Sequence, residues 1–410
     1  MNTGKKILYI SYDGMTDQLG QSQVLPYLVG LSALGYQFTL LSFEKKDRYA
    51  KSAKVIEEIC KENKIRWVPQ FFSSRPPLLS KVYDGIKMKR KARKLYREER
   101  YDFTHCRSYV AASASLDLLK KQKVPFLFDM RGFWVDERVD NGQWNLKNPV
   151  YKIAYKYFKK KEKKYFQNSA RIISLTERGK NELITNYHVS ENKITVIPCC
   201  VDLEHFNPDK PELSLKNELK KKMGIEENDK ILSYLGSLGG WYLVDEMLDF
   251  FRELKKNEPN SRFLFITQDK KEKITSAAKA RGVSETDIIV QAASRKEVPE
   301  LLALSNWSIF FIKDAYSKKA SSPTKQGEIM AMGIPVICND IGDTGLIVKS
   351  SNAGIVVDSF TDEAYHKVIE LLGKKIVSSG SSIRNGAFEF FDLQKGVEKY
   401  LSIYKKIIND

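Results

Sequence analysis

The chain has 410 residues, of which 42% are hydrophobic and 29% are charged. This length predicts two domains of ordinary size, and the composition is typical of a soluble globular protein. No apolar run approaches the roughly 18 uncharged residues of a membrane span, and the short run after the basic N-terminus lacks the cleavage site of a signal peptide.

The net formal charge of +17 is concentrated in one half of the chain. Residues 1–196 contain 38 Lys and Arg against 20 Asp and Glu, whereas residues 197–410 contain 30 against 31. This asymmetry predicts that the N-terminal half faces an anionic partner, such as a membrane surface, a nucleic acid or another polyanion.

The first predicted elements are a strand, a loop, a helix and a second strand. The continuous apolar run at 5–11 predicts a parallel strand buried on both faces. A polar loop at 12–23 follows, then a helix at 24–35 that ends with Gly35, and a strand at 36–43. This βαβ opening places a loop at the carboxyl end of the first strand, without the GxGxxG spacing of a dinucleotide site.

The same alternation continues to the end of the chain. Further strands are predicted at 101–107, 125–132, 170–176, 193–202, 230–237, 261–268, 287–293, 307–313, 335–340 and 353–358. Helices are predicted at 243–257 and 296–305. The sequence therefore predicts two doubly wound α/β halves, joined near 197–210, where the segment PCCVDLEHFNPDKP (198–211) contains three prolines.

Two basic stretches each predict an amphipathic helix. Residues 85–100 contain eight Lys or Arg against two Glu, and residues 151–166 contain seven Lys against one Glu. The apolar faces comprise Met88, Ala92, Leu95 and Tyr96 in the first stretch and Tyr151, Tyr155 and Phe158 in the second. Two interpretations stay open: surface helices with a solvated basic side, or docking to anionic lipid headgroups. Nucleic acid is the weaker alternative, because no nucleic-acid fold signature accompanies the charge.

The five cysteines and four histidines do not form a metal site or a disulfide framework. Cys199 and Cys200 are adjacent, and no pair has a metal-binding or disulfide spacing. We therefore expect reduced cytosolic thiols, ordinary histidines and no metal ion.

Four segments in the second half of the chain resemble one enzyme family. They are KITVIPCCVDLEHFNP (193–208), YLGSLGGWYLVDEMLDFF (234–251), EIMAMGIPVICNDIGD (328–343) and FFDLQKGVEKYLSIYKKI (390–407). In this order and spacing they resemble the family-4 glycosyltransferases, the large retaining group with the GT-B fold. The N-terminal half resembles the family more loosely.

The resemblance implies two Rossmann-like domains that face each other across a cleft. Residues 1–200 would bind the acceptor, residues 201–390 would bind the nucleotide-sugar donor, and the helix at 391–410 would cross back to the first domain. It also implies that no cofactor or metal ion is needed, so helix N-termini, backbone N–H groups and basic side chains must neutralise the diphosphate.

The family motif of Glu, seven residues, Glu is only half present. Glu328 matches the second Glu, which in the family accepts hydrogen bonds from the donor ribose, and we expect its carboxylate to be open to a ligand and not buried. The first Glu, which contacts the donor sugar in the family, would fall at Ala320. Ser321 and Ser322 are the nearest polar candidates for part of its role.

The family also has two cationic residues that stabilise the diphosphate. This chain has Ser237 and Tyr242 at those two positions. Lys325 is the candidate substitute, with Arg295 and Lys296 as weaker ones; the alternative for Lys325 is a solvent-facing lysine at a helix start. The further donor-binding candidates lie on the same two loops and are Gly236, Ser237, Ser322, Pro323 and Thr324.

In the N-terminal half, Gly20 is the best match to the family's glycine loop near the diphosphate, and Asp13, Gly14 and Gln21 are its neighbours. Phe128 stands where the family often has a His, Asp129 is kept, and Arg131 follows as a residue expected to contact acceptor or diphosphate. The acceptor-side candidates are Asp13, Asp129, Asp136, Glu137 and Arg138. For the last three, a salt-bridged loop is an equal explanation.

The resemblance implies retaining transfer of a hexose or N-acetylhexosamine-type sugar from a nucleotide diphosphate sugar to a saccharide or lipid-linked saccharide. The expected setting is bacterial capsule or lipopolysaccharide synthesis, in the cytoplasm and peripheral to the inner face of the plasma membrane. Glu328, Lys325 and Arg131 are the predicted catalytic set. The alternatives are a non-catalytic nucleotide-sugar-binding or scaffold protein, an epimerase of the same fold, and, less favoured, a nucleic-acid binder.

Overall fold

The computed structural model describes residues 4–73, 77–374 and 379–409. The chain divides into two compact units. The first comprises Met1–Pro198, Lys319–Ser321 and Leu393–Asp410, and the second comprises Cys199–Lys318 and Ser322–Asp392. The first boundary falls inside the predicted join at 197–210.

The first unit contains a seven-stranded parallel sheet in the order β3-β2-β1-β4-β5-β6-β7. Its strands are β1 (Lys6–Ser11), β2 (Gln37–Glu44), β3 (Arg66–Phe71), β4 (Phe103–Arg107), β5 (Phe126–Asp129), β6 (Arg171–Ser174) and β7 (Ile194–Val196). The central strands are buried on both faces, which explains the apolar runs of β1 and β5, whereas β4 also buries Thr104, His105 and Arg107.

Helices cover both faces of this sheet. They are α1 (Gln18–Gln23), α2 (Leu25–Ala33), α3 (Lys46–Glu62), α4 (Pro77–Glu98), α5 (Ser108–Gln122), α6 (Trp134–Asp140), α7 (Pro149–Asn168), α8 (Glu177–Tyr187) and α17 (Leu393–Asn409). Helix α5 packs against both α4 and α7, and α17 packs against α2. The last helix therefore belongs to the first unit.

The second unit contains a six-stranded parallel sheet in the order β10-β9-β8-β11-β12-β13. Its strands are β8 (Lys230–Leu235), β9 (Ser261–Ile266), β10 (Ile288–Gln291), β11 (Trp307–Phe310), β12 (Val336–Asn339) and β13 (Gly354–Val357). Its helices are α9 (Leu213–Met223), α10 (Val244–Asn257), α11 (Lys271–Ala280), α12 (Val298–Leu302), α13 (Thr324–Ala331), α14 (Thr344–Ser350), α15 (Asp362–Gly373) and α16 (Gly380–Phe390). The prediction of two doubly wound α/β halves is confirmed.

Local sequence explains where several of these elements begin and end. Gly35 has φ +91°, which ends the α2 turn as predicted. Asn148 accepts a hydrogen bond from the Val150 N–H, and Pro149 occupies the first turn, so α7 starts there. The loop predicted at 12–23 is partly wrong, because residues 18–23 form α1.

Both basic stretches are helical, as predicted. In α4, Met88, Ala92 and Leu95 are fully buried, so the predicted apolar face is the packing face. In α7, the buried aromatic residues are Tyr165 and Phe166, near the C-terminal end of the helix.

Candidate active site

Lys325 and Glu328 lie on α13, which begins directly after Pro323. Every residue from Lys325 to Ala331 is buried. A Cβ atom on Gly327 would lie 2.8 Å from a Val201 methyl group and 2.9 Å from the Phe391 ring. The absence of a side chain at 327 therefore lets α13 pack tightly inside the second unit, which fixes Lys325 and Glu328.

The ammonium group of Lys325 lies between two tyrosine rings. Its Nζ atom is 3.6 Å from the centre of the Tyr242 ring and 4.0 Å from the centre of the Tyr234 ring. A Cβ atom on Gly236, which has φ +105°, would lie 3.3 Å from this Nζ. Among the described residues, no atom accepts a hydrogen bond from it.

Burial lowers the pKa of Lys325 well below its usual range, and Glu328 only partly opposes this effect. The residue is 7% exposed, so the alternative of a solvent-facing lysine is wrong. Aromatic rings stabilise a cation but cannot accept its hydrogen bonds as an anion does. The arrangement is suited to an anionic ligand that accepts these hydrogen bonds.

Glu328 is paired with Arg295, whose Nη1 donates to Oε1 at 3.1 Å. The Glu328 side chain is 11% exposed, so the expectation of an open carboxylate is wrong: α13 is packed too deeply. Burial raises the pKa of Glu328, although Arg295 and Lys325 oppose this. Within the described residues, Oε2 receives no hydrogen bond, which leaves one acceptor for a hydroxyl ligand.

Arg295 is itself held in place by two neighbours. Its guanidinium lies over the Phe206 ring at 5.4 Å, and its carbonyl oxygen is 3.0 Å from His205 Nε2. These contacts orient the guanidinium toward Glu328. The other loop candidate beside Gly236, Ser237, is exposed, and its carbonyl oxygen accepts a hydrogen bond from Tyr234 at 2.7 Å.

The loop before α13 explains why position 320 has no Glu. Ala320 is fully buried in the first unit, and its Cβ lies 2.8 Å from where a Cβ on Gly179 would stand. The preceding carbonyl, that of Lys319, accepts a hydrogen bond from Thr176 at 2.6 Å. A carboxylate at 320 would be enclosed there, so a small apolar residue fits.

The remaining loop candidates are Ser321, Ser322, Pro323 and Thr324, and all four are partly buried. The hydroxyl of Ser322 accepts a hydrogen bond from the Cys199 N–H at 3.2 Å, so it holds the loop within the second unit. Their donor-binding role stays a prediction.

In the first unit, Asp129 lies fully buried at the end of β5. Arg131 Nη1 is 3.6 Å from Oδ1, and Arg107 Nη1 is 3.7 Å from Oδ2. Burial alone would raise the pKa of Asp129, but Arg131, His105 and Arg107 together lower it to about 2. Asp129 is therefore ionised and fixes the direction of two guanidinium groups.

The last helix completes this network. The Tyr400 hydroxyl donates to Asp129 at 3.2 Å, and the Tyr404 hydroxyl lies 2.7 Å from His105 Nδ1. Arg131 has φ +60°, a strained conformation for a side-chain-bearing residue, and its Nη2 reaches Gln23 at 3.5 Å. Strain of this kind is common at functional positions.

Gly20 is needed for packing in the first unit. A Cβ atom there would lie 2.2 Å from the Gly14 carbonyl oxygen and 2.6 Å from Met15 Cα. The neighbouring Asp13 accepts a hydrogen bond from Arg107 Nε at 3.1 Å, and Gln21 Nε2 is 3.4 Å from the Thr16 carbonyl oxygen. Asp13 is therefore linked to Asp129 through Arg107, which contacts both carboxylates.

Sequence reasoning missed Glu44, at the end of β2. Its fully buried carboxylate accepts hydrogen bonds from the Met15 N–H, the Thr16 N–H, the Thr16 hydroxyl and the Ser42 hydroxyl. This carboxylate holds the loop after β1. An acidic residue that ends an otherwise apolar strand was the available signal.

Asp136, Glu137 and Arg138 lie on α6. Asp136 is buried and accepts hydrogen bonds from Tyr155 and Lys159, both at 2.8 Å. Arg138 lies over the Trp134 ring at 5.1 Å, and Glu137 is half-buried. The Asp136 contacts fit the salt-bridged alternative, and the acceptor-side role of all three stays a prediction.

Across the described part of the chain, no three His, Cys, Asp or Glu side chains are grouped so as to hold a metal ion. All five cysteines are buried and free of disulfides.

Two family descriptions match this sequence. Residues 23–205 match "Glycosyltransferase Family 4" and residues 216–376 match "Glycosyl transferases group 1", which together span most of the chain.

Curated relatives are distant. The chain is 24% identical over 196 residues to the N-acetyl-alpha-D-glucosaminyl L-malate synthase of Bacillus anthracis, which covers 47% of this chain and 50% of that protein. It is 23% identical over 410 aligned residues to the Escherichia coli UDP-Gal:alpha-D-GlcNAc-diphosphoundecaprenol alpha-1,3-galactosyltransferase, covering 94% of this chain and 96% of that protein. The chain thus spans half the length of the first relative and nearly all of the second.

Solved structures share the fold. A glycosyltransferase from Rickettsia africae ESF-5 superposes with a TM-score of 0.73 at 15% identity, covering 99% of both chains. Anabaena Alr3699/HepE in complex with UDP and glucose superposes with a TM-score of 0.70 at 12% identity, covering 98% of this chain and 99% of that one. The two family descriptions cover both halves of the sequence, and the superposed structures cover both sheets. The chain therefore belongs to the family-4 glycosyltransferases and has the GT-B fold.

Proposed function

We propose that the protein is a retaining, metal-independent glycosyltransferase that moves a hexose or N-acetylhexosamine-type sugar from a nucleotide diphosphate sugar to a saccharide or lipid-linked saccharide. The observation that carries this proposal is the ammonium of Lys325. It is buried between Tyr234 and Tyr242 with no hydrogen-bond acceptor among the described residues, on the same helix as Glu328.

In this proposal, the donor supplies the hydrogen-bond partners that Lys325 and Glu328 lack. The diphosphate accepts hydrogen bonds from Lys325 and from N–H groups at the start of α13, where the helix dipole also favours an anion. A ribose hydroxyl donates to Oε2 of Glu328, while Arg295 keeps that carboxylate oriented. The charge that develops on the leaving diphosphate is thus stabilised by groups already in place.

The transfer itself needs no enzymic nucleophile in this proposal. The bond between the sugar C1 and the diphosphate oxygen breaks as the acceptor oxygen bonds to C1 from the same face. The acceptor proton passes to the departing phosphate oxygen, so configuration is retained and charge is balanced. Arg131, held by Asp129, would contact the acceptor or the diphosphate from the first unit.

A lipid-linked acceptor is favoured by two observations. The E. coli relative is named for a GlcNAc-diphosphoundecaprenol acceptor and a UDP-Gal donor. The excess of positive charge lies in residues 1–196, which suits the cytoplasmic face of an anionic membrane. The described helices include none that is long and apolar enough to cross a bilayer.

The test is a panel of UDP- and GDP-sugars with a lipid-diphosphate-linked GlcNAc acceptor, in buffer containing EDTA. We expect one donor to be consumed and NMR of the product to show the anomeric configuration of the donor. Glu328→Ala and Lys325→Ala should both lower turnover. Donor turnover unchanged in both variants would refute the site, and inversion or EDTA inhibition would refute the proposed mechanism. Donor binding without turnover or hydrolysis would favour the non-catalytic alternative.

A further inference from the structure

A groove of about 390 Å³ lies between α4 and α7, with α5 as its floor. Five lysines line it: Lys89, Lys120, Lys160, Lys161 and Lys164. The acidic residue that lines it, Asp117, accepts two hydrogen bonds from Arg93, at 2.5 and 2.7 Å. Asp117 is thereby neutralised, and the groove is strongly positive.

These cations are placed close enough to repel one another. Burial and the nearby Lys161 lower the pKa of Lys89, and the Lys161 ammonium lies 4.6 Å from the Tyr157 ring centre. Like charges gathered in a partly buried groove raise the free energy of the empty site. A phosphate group in the groove would relieve this repulsion.

Exposed apolar side chains lie on the same two helices. They are Val82, Tyr83 and Ile86 on α4 and Val150, Ile153 and Tyr157 on α7, each between 43% and 68% exposed. Of the thirteen large hydrophobic side chains that are exposed in the described residues, six are therefore on α4 and α7. Such clustering marks an interaction surface, whereas scattered apolar residues do not.

The apolar residues and the groove lysines share helix faces. Val82, Ile86 and Lys89 follow one another at intervals of four and three residues. Ile153, Tyr157 and Lys161 do the same at intervals of four. Each helix thus presents one exposed stripe, apolar in its first half and basic toward the groove.

The fold fixes where the apolar halves lie. Helices α4 and α7 each connect two parallel strands of the first sheet, so each begins at the carboxyl edge of that sheet. Asp129 and Arg131 lie at the same edge, directly after β5. The apolar halves are therefore nearest to the proposed acceptor side.

We propose that this surface docks on an anionic lipid membrane, with a lipid phosphate in the groove and the six apolar side chains inserted at the interface. The proposal rests on the proposed function only in that the acceptor is lipid-linked. A symmetric second copy would bring the same lysines face to face, which charge disfavours. Nucleic acid offers phosphates but no apolar layer for the valine and isoleucine side chains.

The test is flotation with phosphatidylcholine vesicles, with and without phosphatidylglycerol. In the groove variant, Lys89, Lys160, Lys161 and Lys164 are replaced by Ala. In the apolar variant, Ile86 and Ile153 are replaced by Ser. The matched control replaces four exposed lysines of the second unit by Ala, namely Lys270, Lys271, Lys273 and Lys279.

We expect the wild type and the control to bind phosphatidylglycerol vesicles alike. The groove variant should bind at least tenfold more weakly, since each basic residue near an anionic surface contributes roughly fivefold in affinity. The apolar variant should lose the binding that persists in high salt, where electrostatic attraction is screened. Binding of the groove variant equal to that of the control would overturn the proposal.

Three other results would also overturn it. They are apolar-variant binding unchanged in high salt, duplex DNA binding lost by the groove variant while vesicle binding stays intact, and a change of oligomeric state in the apolar variant. Turnover of the donor with a water-soluble saccharide acceptor, measured in parallel, does not require docking to a membrane. Loss of vesicle binding with intact donor turnover therefore separates this surface from the proposed function.

Discussion

The Nζ atom of Lys325 lies 3.6 Å from the centre of the Tyr242 ring, the position at which the family carries a lysine. The amino group of Lys325 on α13 therefore lies close to the region that a lysine side chain at position 242 would occupy. Lys325→Met should lower donor turnover roughly 100-fold, as expected for removing one donor to a developing anion. Because the variant removes a buried amino group that has no hydrogen-bond acceptor among the described residues, its thermal midpoint should rise, which distinguishes lost chemistry from misfolding.

The matching rescue restores the family's residue. Tyr242→Lys in the Lys325→Met background should recover part of the lost turnover, because an ammonium returns to the same region. Lys349→Ala, on the exposed end of α14, serves as the control and should leave turnover unchanged. A double variant no more active than Lys325→Met would contradict the idea that position 325 substitutes for position 242.

Donor binding should take up a proton. Burial lowers the pKa of Lys325 well below its usual range, and a bound diphosphate would raise that pKa again. Between the two pKa values, a rise in pH removes the proton that the complex needs, so affinity for a nucleoside diphosphate should fall as pH rises. Calorimetry in buffers of different ionisation enthalpy measures the proton uptake directly. Lys325→Met should abolish it, and proton release in the wild type would disprove the assignment.

Glu328→Ala should weaken donor binding through one ribose hydroxyl. The wild type should lose affinity when a nucleoside diphosphate is replaced by its 2′-deoxy or 3′-deoxy form, by roughly tenfold for one hydrogen bond to a charged group. In Glu328→Ala the same replacement should have little effect. Equal losses in both proteins would show that Glu328 does not contact the ribose.

Gly20→Ala should strongly destabilise the first unit. A Cβ at position 20 would lie 2.2 Å from the Gly14 carbonyl oxygen, a backbone atom that cannot move aside alone. We expect the free energy of unfolding to fall by about 3 kcal/mol. Gly85→Ala is the control: nothing lies within 4 Å of its added Cβ in α4, so stability should rise by about 1 kcal/mol. Denaturant unfolding measures both, and equal effects would argue against the close packing.

Ala320→Glu restores the family's acidic motif but should not improve the enzyme. Position 320 is fully buried against Gly179, so a carboxylate there would be desolvated. We expect a loss of about 3 kcal/mol in the free energy of unfolding and lower donor turnover. Ala320→Ser, a smaller polar change, should be tolerated better. A stable Glu variant with raised turnover would mean that the carboxylate reaches the donor.

The sequence predicted two doubly wound halves and twelve of the thirteen described strands, because most buried parallel strands are largely apolar runs. It did not predict β3, a partly exposed edge strand that contains Pro69. It also predicted that Lys325 and Glu328 lie at the start of one helix. Burial at 328 and the partner Arg295 were not predictable, because they depend on how α13 packs under Val201 and Phe391. Likewise, the acidic end of an apolar strand singles out Glu44, but it does not show that Glu44 holds a loop 28 residues away.

The hydrogen bonds between Tyr400 and Asp129 and between Tyr404 and His105 join parts of the chain that are separated by the whole second unit. During synthesis, β1 to β7 leave the ribosome long before α17 does. Until α17 arrives, Asp129 lacks its tyrosine donor and the α2 face that packs against α17 is uncovered. The first unit is therefore synthesised first but completes its folding last. In a nascent chain, the network that holds Arg131 stays incomplete until the second unit has been translated.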